Sequence, residues 1–239
     1  STQAKTLFPY TTLFRSMAIA TSMATIFFTS MSSVRAHHRR GMVRWDLVKG
    51  IAPGIMIGAL IVSIGIFSLL KGAWLSLMFG VLVTVAALQM LLDRKPKPTR
   101  QMPGPGGQAA AGGMIGFLSG LLGAGGGFIS VPFMTWCNVP IHNAVATSAA
   151  LGFPIAVFNV VGYIVSGWQV AGRPPYSLGY VWTPAVLAVA SCSVLMAPVG
   201  ARTAHALPVK ALKRIFACLL IVLAASMTRE GLRTLGIQI

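Results

Sequence analysis

Apolar runs about as long as a bilayer is thick follow one another through this chain, and nothing constrains its fold more. A helix needs roughly 20 predominantly apolar residues to cross the hydrocarbon core of a membrane. Seven stretches fit that description: 17–34, 49–70, 73–92, 109–136, 143–165, 178–201 and 211–228. Of the 239 residues, 55% are hydrophobic and 9% charged; soluble domains carry about 25% charged residues. The expected fold class is therefore all-α, a polytopic membrane protein with the lipid bilayer as its solvent.

The formal net charge of +16 comes from 19 Lys and Arg against Asp46, Asp93 and Glu230. Most of the basic residues sit in short connections between apolar runs, which is the positive-inside pattern. No basic stretch is interleaved with aromatics for base stacking, so no nucleic-acid partner is expected. Cys137, Cys192 and Cys218 are scattered singly, which gives neither a disulfide framework nor a metal site. His37, His38, His142 and His205 lack metal-ligand spacing, and His37 and His38 are expected to be solvated in a basic loop. No cofactor, metal or catalytic residue is expected.

A charged, Pro- and Gly-rich linker at 93–108 divides the chain. "AIATS" from Ala18 to Ser22 recurs as "AVATS" from Ala144 to Ser148, and each half carries a Gly-Ala pair in a proline-containing helix, Gly58–Ala59 with Pro53 and Gly200–Ala201 with Pro198. The pattern predicts two related repeats, a plan common among transporters: 17–92 as a partial first repeat and 109–239 as a complete second one. Residues 1–16 fall outside this plan. Thr6 to Ser16, "TLFPYTTLFRS", has no helical period and resembles the translation of a widely used sequencing adapter, so 1–16 is expected to be a non-native tail. The repeat register then places an eighth apolar segment, rich in glycine, upstream of Met17.

Within 109–136 stands "SGLLGAGGGFISVPF", Ser119 to Phe133. Glycine weakens a helix, and a broken helix in lipid is tolerated only inside protein or beside water. The segment is expected either to cross once as a broken helix or to enter and return as two half-helices, 109–122 and 128–136. If it returns, loops 35–49, 93–107, 137–142 and 202–214 share a face with 13 basic residues, against 4 on the other. Amide groups at a half-helix N-terminus bind anions, so Gly123, Gly125, Gly126 and Gly127 are candidate contacts for an oxyanion. Close packing through small residues explains them as well. A phosphate-binding Walker loop needs Gly-Lys-Ser/Thr where Phe128–Ile129 stands. Ser22, Thr25, Thr29, Ser32 and Ser33 share one helical face, and Ser148, Gly152, Asn159 and Gly162 form a similar stripe. Thr21, Ser22, Thr147, Ser148 and Asn159 complete the candidate substrate contacts. Pro132, Pro154 and Pro184 are expected to kink or break their helices.

"GFLSGLLGAGGGFISVPF" followed by "VPIHNAVATS", Val139 to Ser148, resembles the TauE/SafE family of sulfite and organosulfur anion exporters. The resemblance covers 17–239 and implies an eight-segment transporter of small anions, sulfite or sulfonates, in the bacterial inner membrane; the two repeats point to alternating access. No carboxylate lies within an apolar segment, so an intramembrane acid relay is not expected. Two other classes remain open: a membrane-embedded enzyme acting on lipid phosphates, for which His37, His38, Asp46 and nearby arginines are the available groups, and a non-transporting scaffold subunit.

Overall fold

The computed structural model describes residues 2–63, 72–92, 101–122, 125–170 and 172–234. Within them run eight helices: α1 Thr2–His38, α2 Trp45–Ser63, α3 Gly72–Leu91, α4 Pro105–Leu122, α5 Gly127–Trp136, α6 Ile141–Gly167, α7 Thr183–Ala206 and α8 Val209–Thr234. One short hairpin, β1 Ser177–Leu178 with β2 Val181–Trp182, precedes α7. Among the described residues, five helical stretches are long and apolar enough to cross a membrane: Ser16–His38, Trp45–Val62, Ile141–Gly167, Thr183–Ala206 and Val209–Arg233. The chain is a multi-pass helical membrane protein.

Two expectations need correction. The residues at 178–201 do not start as helix: Gly179, at φ 58°, turns the hairpin, and α7 begins only at Thr183. Pro184 stands in the first turn of α7, where a missing N–H costs nothing, so it starts that helix instead of kinking it. Thr6 to Ser16 lies within α1. The segment read at 49–70 is helical to Ser63, and the rest of it lies outside the described residues.

The core gathers around α6. Fully buried Leu151 and Ile155 of α6 share a cluster with Met23 of α1, Ile51 and Ile55 of α2, Ile115 of α4 and Met134 of α5. Lipid is as apolar as these side chains, so close packing, and not escape from water, holds such helices together. The contact of α2 with α4 is the clearest case. Gly50, Gly54 and Gly58 of α2 face Gln108, Ala109 and Gly113 so closely that an added Cβ would overlap them. Gly112 and Gly116 of α4 lie against the carbonyls of Ile51 and Ile55 in the same way. Outward faces of α7 and α8 carry exposed Leu187, Leu195, Leu219 and Val222, as lipid contact requires.

α4 and α5 run back to the same end of the molecule. α4 begins beside the first turns of α2, where Gln108 meets Gly50. α5 ends where α6 begins: Asn138, at φ 62°, stops the helix in the left-handed conformation, and Val139 N–H donates to the Met134 carbonyl. Asn tolerates that conformation better than most residues, and Pro140 then leads into α6. α2 and α6 start side by side, since the Asn143 amide donates to the Met42 carbonyl at 2.9 Å. The outer ends of α4 and α5 therefore lie at one end of the molecule, with their junction buried inside it.

Candidate functional site

The junction is built by glycine. Gly126 is the N-cap of α5 and takes φ 72°, a conformation that L side chains rarely adopt. Its carbonyl accepts from the amides of Ile129 and Ser130 at 3.1 and 2.9 Å, closing the first turn of α5. A Cβ on Gly126 would stand 2.6 Å from Ile155 Cδ1 and 2.8 Å from Ser119 Oγ. One on Gly125 would touch Ile26 of α1 at 3.4 Å, and one on Gly127 would meet Ser148 Oγ at 3.3 Å. Four helices converge here: α1, α4, the start of α5, and α6. Gly152 on α6 completes the enclosure, with room for a Cβ 3.5 Å from Ser30 and 3.8 Å from the Gly125 carbonyl.

Two buried hydroxyls bridge α5 and α6: Ser130 and Ser148 are 2.8 Å apart, and either can donate. One hydroxyl has no partner. Ser119 Oγ of α4 is wholly buried and unpaired, and it points at the N-cap of α5. Buried polar groups are nearly always satisfied, so an orphan of this kind marks strain or a place for something else to bind. The first turn of a helix adds partial positive charge. The same place thus offers a buried hydroxyl beside a helix N-terminus.

Of the candidate contacts, the structure brings together Gly125, Gly126, Gly127 and Ser148. Gly123 lies outside the described residues. Asn159 sits farther along α6: its amide donates to the Ile155 carbonyl at 2.8 Å, while Oδ1 is unpartnered against Gly120. Beside it the Tyr163 hydroxyl donates to the Gly120 carbonyl at 2.8 Å. Thr147 and Thr21 are elsewhere. Thr147 Oγ1 accepts from Arg44 N–H and Thr21 Oγ1 from Trp182 N–H, both at 3.1 Å, so each hydroxyl serves a chain entering a helix. Ser22 neighbours Thr21 on α1, and its carbonyl accepts from Thr25. The rest of the α1 stripe also turns inward: Thr29 donates to the Thr25 carbonyl, and Ser32 donates across to Val194 of α7.

Sequence reasoning passed over Ser119 and Ser130. Both lie in the quoted glycine stretch, and each is a polar residue in an apolar flank of the break, which was the available signal. His37 needs correction as well. It is 3% exposed and hydrogen-bonded to His205, not solvated, because α1 runs on to His38 and carries the ring under α7. His38 is exposed and accepts from Trp45 Nε1 at 3.1 Å. Asp46 pairs with Arg44 at 2.6 Å on the surface.

A polytopic helical bundle that buries a helix break with unpaired polar groups is the architecture of a membrane transporter. The chain belongs to the sulfite exporter TauE/SafE family, whose profile matches residues 6–227. It is 36% identical over 216 residues to a "probable membrane transporter protein" of Haemophilus influenzae, covering 90% of this chain and 81% of that one. A protein of the same description, YdhB of Bacillus subtilis, is 28% identical over 82% of this chain and 78% of its own. Another from Methanocaldococcus jannaschii is 22% identical over 88% and 78%. No solved structure matches the chain.

Proposed function

We propose that this transporter moves small oxyanions, sulfite or alkyl sulfonates, and holds them at the N-terminus of α5 as its two halves rock about the break. The observation that carries the reading is the unpaired, wholly buried Ser119 hydroxyl facing the Gly126 cap. An oxyanion seated there would accept from Ser119 and from main-chain amides, so the site needs no buried cationic side chain. The resemblance of the chain to a family described by sulfite export supports the choice of substrate. The residues around the break are closely packed, which fits an occluded state that must loosen to admit a solute. The two related repeats, 17–92 and 109–239, are the units whose relative motion would expose the site to either side.

The test is radiolabelled sulfite or methanesulfonate flux into proteoliposomes holding the full chain. Saturable flux that drops at least tenfold in Ser119→Ala, with membrane insertion unchanged, supports the reading. Flux indistinguishable from empty liposomes for every small oxyanion sinks it.

A further inference from the structure

We propose that His37 and His205 form a proton-binding site that fastens the end of α1 to the end of α7 and releases them when both rings are protonated. His37 Nδ1 and His205 Nε2 stand 2.8 Å apart. Two neutral rings make this bond because one nitrogen donates and the other keeps its lone pair. A third histidine joins from α6: His142 stacks on His205, ring centroids 6.0 Å apart at 20°. Its Nε2 lies 3.1 Å from the Leu207 carbonyl and so carries the hydrogen.

The groups facing the pair all favour release once protons arrive. Arg40, in the turn after α1, faces both rings, and His142 faces His205. None of the described carboxylates faces it, and Asp46 is held by Arg44. One added proton leaves a cation among cations, but the bond survives, because the charged ring still donates to the neutral one. A second removes the last lone pair and sets N–H against N–H. His205 Nδ1 is also buried with no partner, so no other acceptor holds this ring in place.

α1 and α7 lie on opposite sides of the 93–108 linker, so the pair ties one half of the chain to the other at a single end. Opening that end is what alternating access would require. The proton site does not depend on which solute is carried.

The test places spin labels at exposed Arg39 and Ala206 in the full chain, with Cys137, Cys192 and Cys218 changed to Ser, and measures the distance between them in liposomes. A narrow distribution at about pH 8 that lengthens by about pH 4, past the low end of the range where histidine ordinarily titrates because the second proton enters among cations, by roughly 5 Å, one helical turn, is expected. A distance that does not change with pH in the otherwise wild-type chain overturns the proposal. In His37→Asn/His205→Gln the two amides keep a hydrogen bond without titrating, so the pH response should vanish. A response that persists there assigns the proton to another group and also overturns it.

Discussion

Thr147 of α6 accepts a hydrogen bond from the backbone N–H of Arg44, 103 residues away, at 3.1 Å. The N–H belongs to the residue just before α2. Thr21 of α1, which precedes Thr147 by 126 residues, accepts at the same distance from Trp182, the N-cap of α7. Each half of the chain uses its "ATS" threonine to receive the incoming helix of the other half. The same contact made twice, in reciprocal senses, is what a duplicated unit would produce, and it supports the proposal of two repeats.

Thr147→Val should cost about 1 kcal/mol, because it strands a donor beside a wholly buried side chain. Thr21→Val should cost less, since Trp182 lies at an exposed hairpin where water can replace the hydroxyl. Thermal unfolding in detergent reads the difference. Equal losses would mean that burial does not set the value of this contact.

Ser119→Ala separates stability from function. The alanine removes an unpaired buried hydroxyl, so the variant should unfold later than wild type, by about 1 kcal/mol, while sulfite flux falls. A stability loss instead would mean that the hydroxyl is satisfied in the membrane.

The Ser130–Ser148 bond should be worth about 0.6 kcal/mol, the average for cross-helix side-chain hydrogen bonds in membranes. Ser130→Ala and Ser148→Ala each leave the other hydroxyl unpaired, so the double variant should lose less than the sum of the two. Strict additivity in a double-mutant cycle would show that the two hydroxyls do not act as a pair.

Two glycines of the α2–α4 contact should respond in opposite ways to alanine. At Gly58 a Cβ would overlap the Gly113 carbonyl, which cannot move aside, so Gly58→Ala should push the helices apart and lower yield and melting temperature sharply. At Gly113 the nearest atom to an added Cβ is the Gly54 carbonyl at 3.7 Å, ordinary contact, and alanine is the better helix former by about 1 kcal/mol. Gly113→Ala should therefore be neutral or stabilising. A Gly58→Ala chain that melts like wild type would contradict the packing described here.

Much of this was legible beforehand because hydropathy and glycine are local signals. Five of the seven apolar runs returned among the described residues as helices long and apolar enough to cross a membrane, and the break followed from three consecutive glycines that no membrane helix would choose. The hairpin at 177–182 was hidden because its residues are as apolar as the helix they precede, and only Gly179 distinguishes it. Among the candidate contacts, Ser148 reached the break while Thr147, one residue earlier, turned to a neighbouring chain. A step of 100° around a helix separates them, and a sequence does not say which direction is inward. His37 and His205 are 168 residues apart, and no short-range pattern could join them.

The glycine seam between α2 and α4 has a mechanical meaning. At Gly54 and Gly58, and again at Gly112 and Gly116, backbone lies directly on backbone, so the seam has no layer of side chains along which the two halves could slide, and they can only turn about it. A seam of that kind is an axle: relative motion of the halves would be least along α2 and α4 and greatest at the helix ends farthest from them.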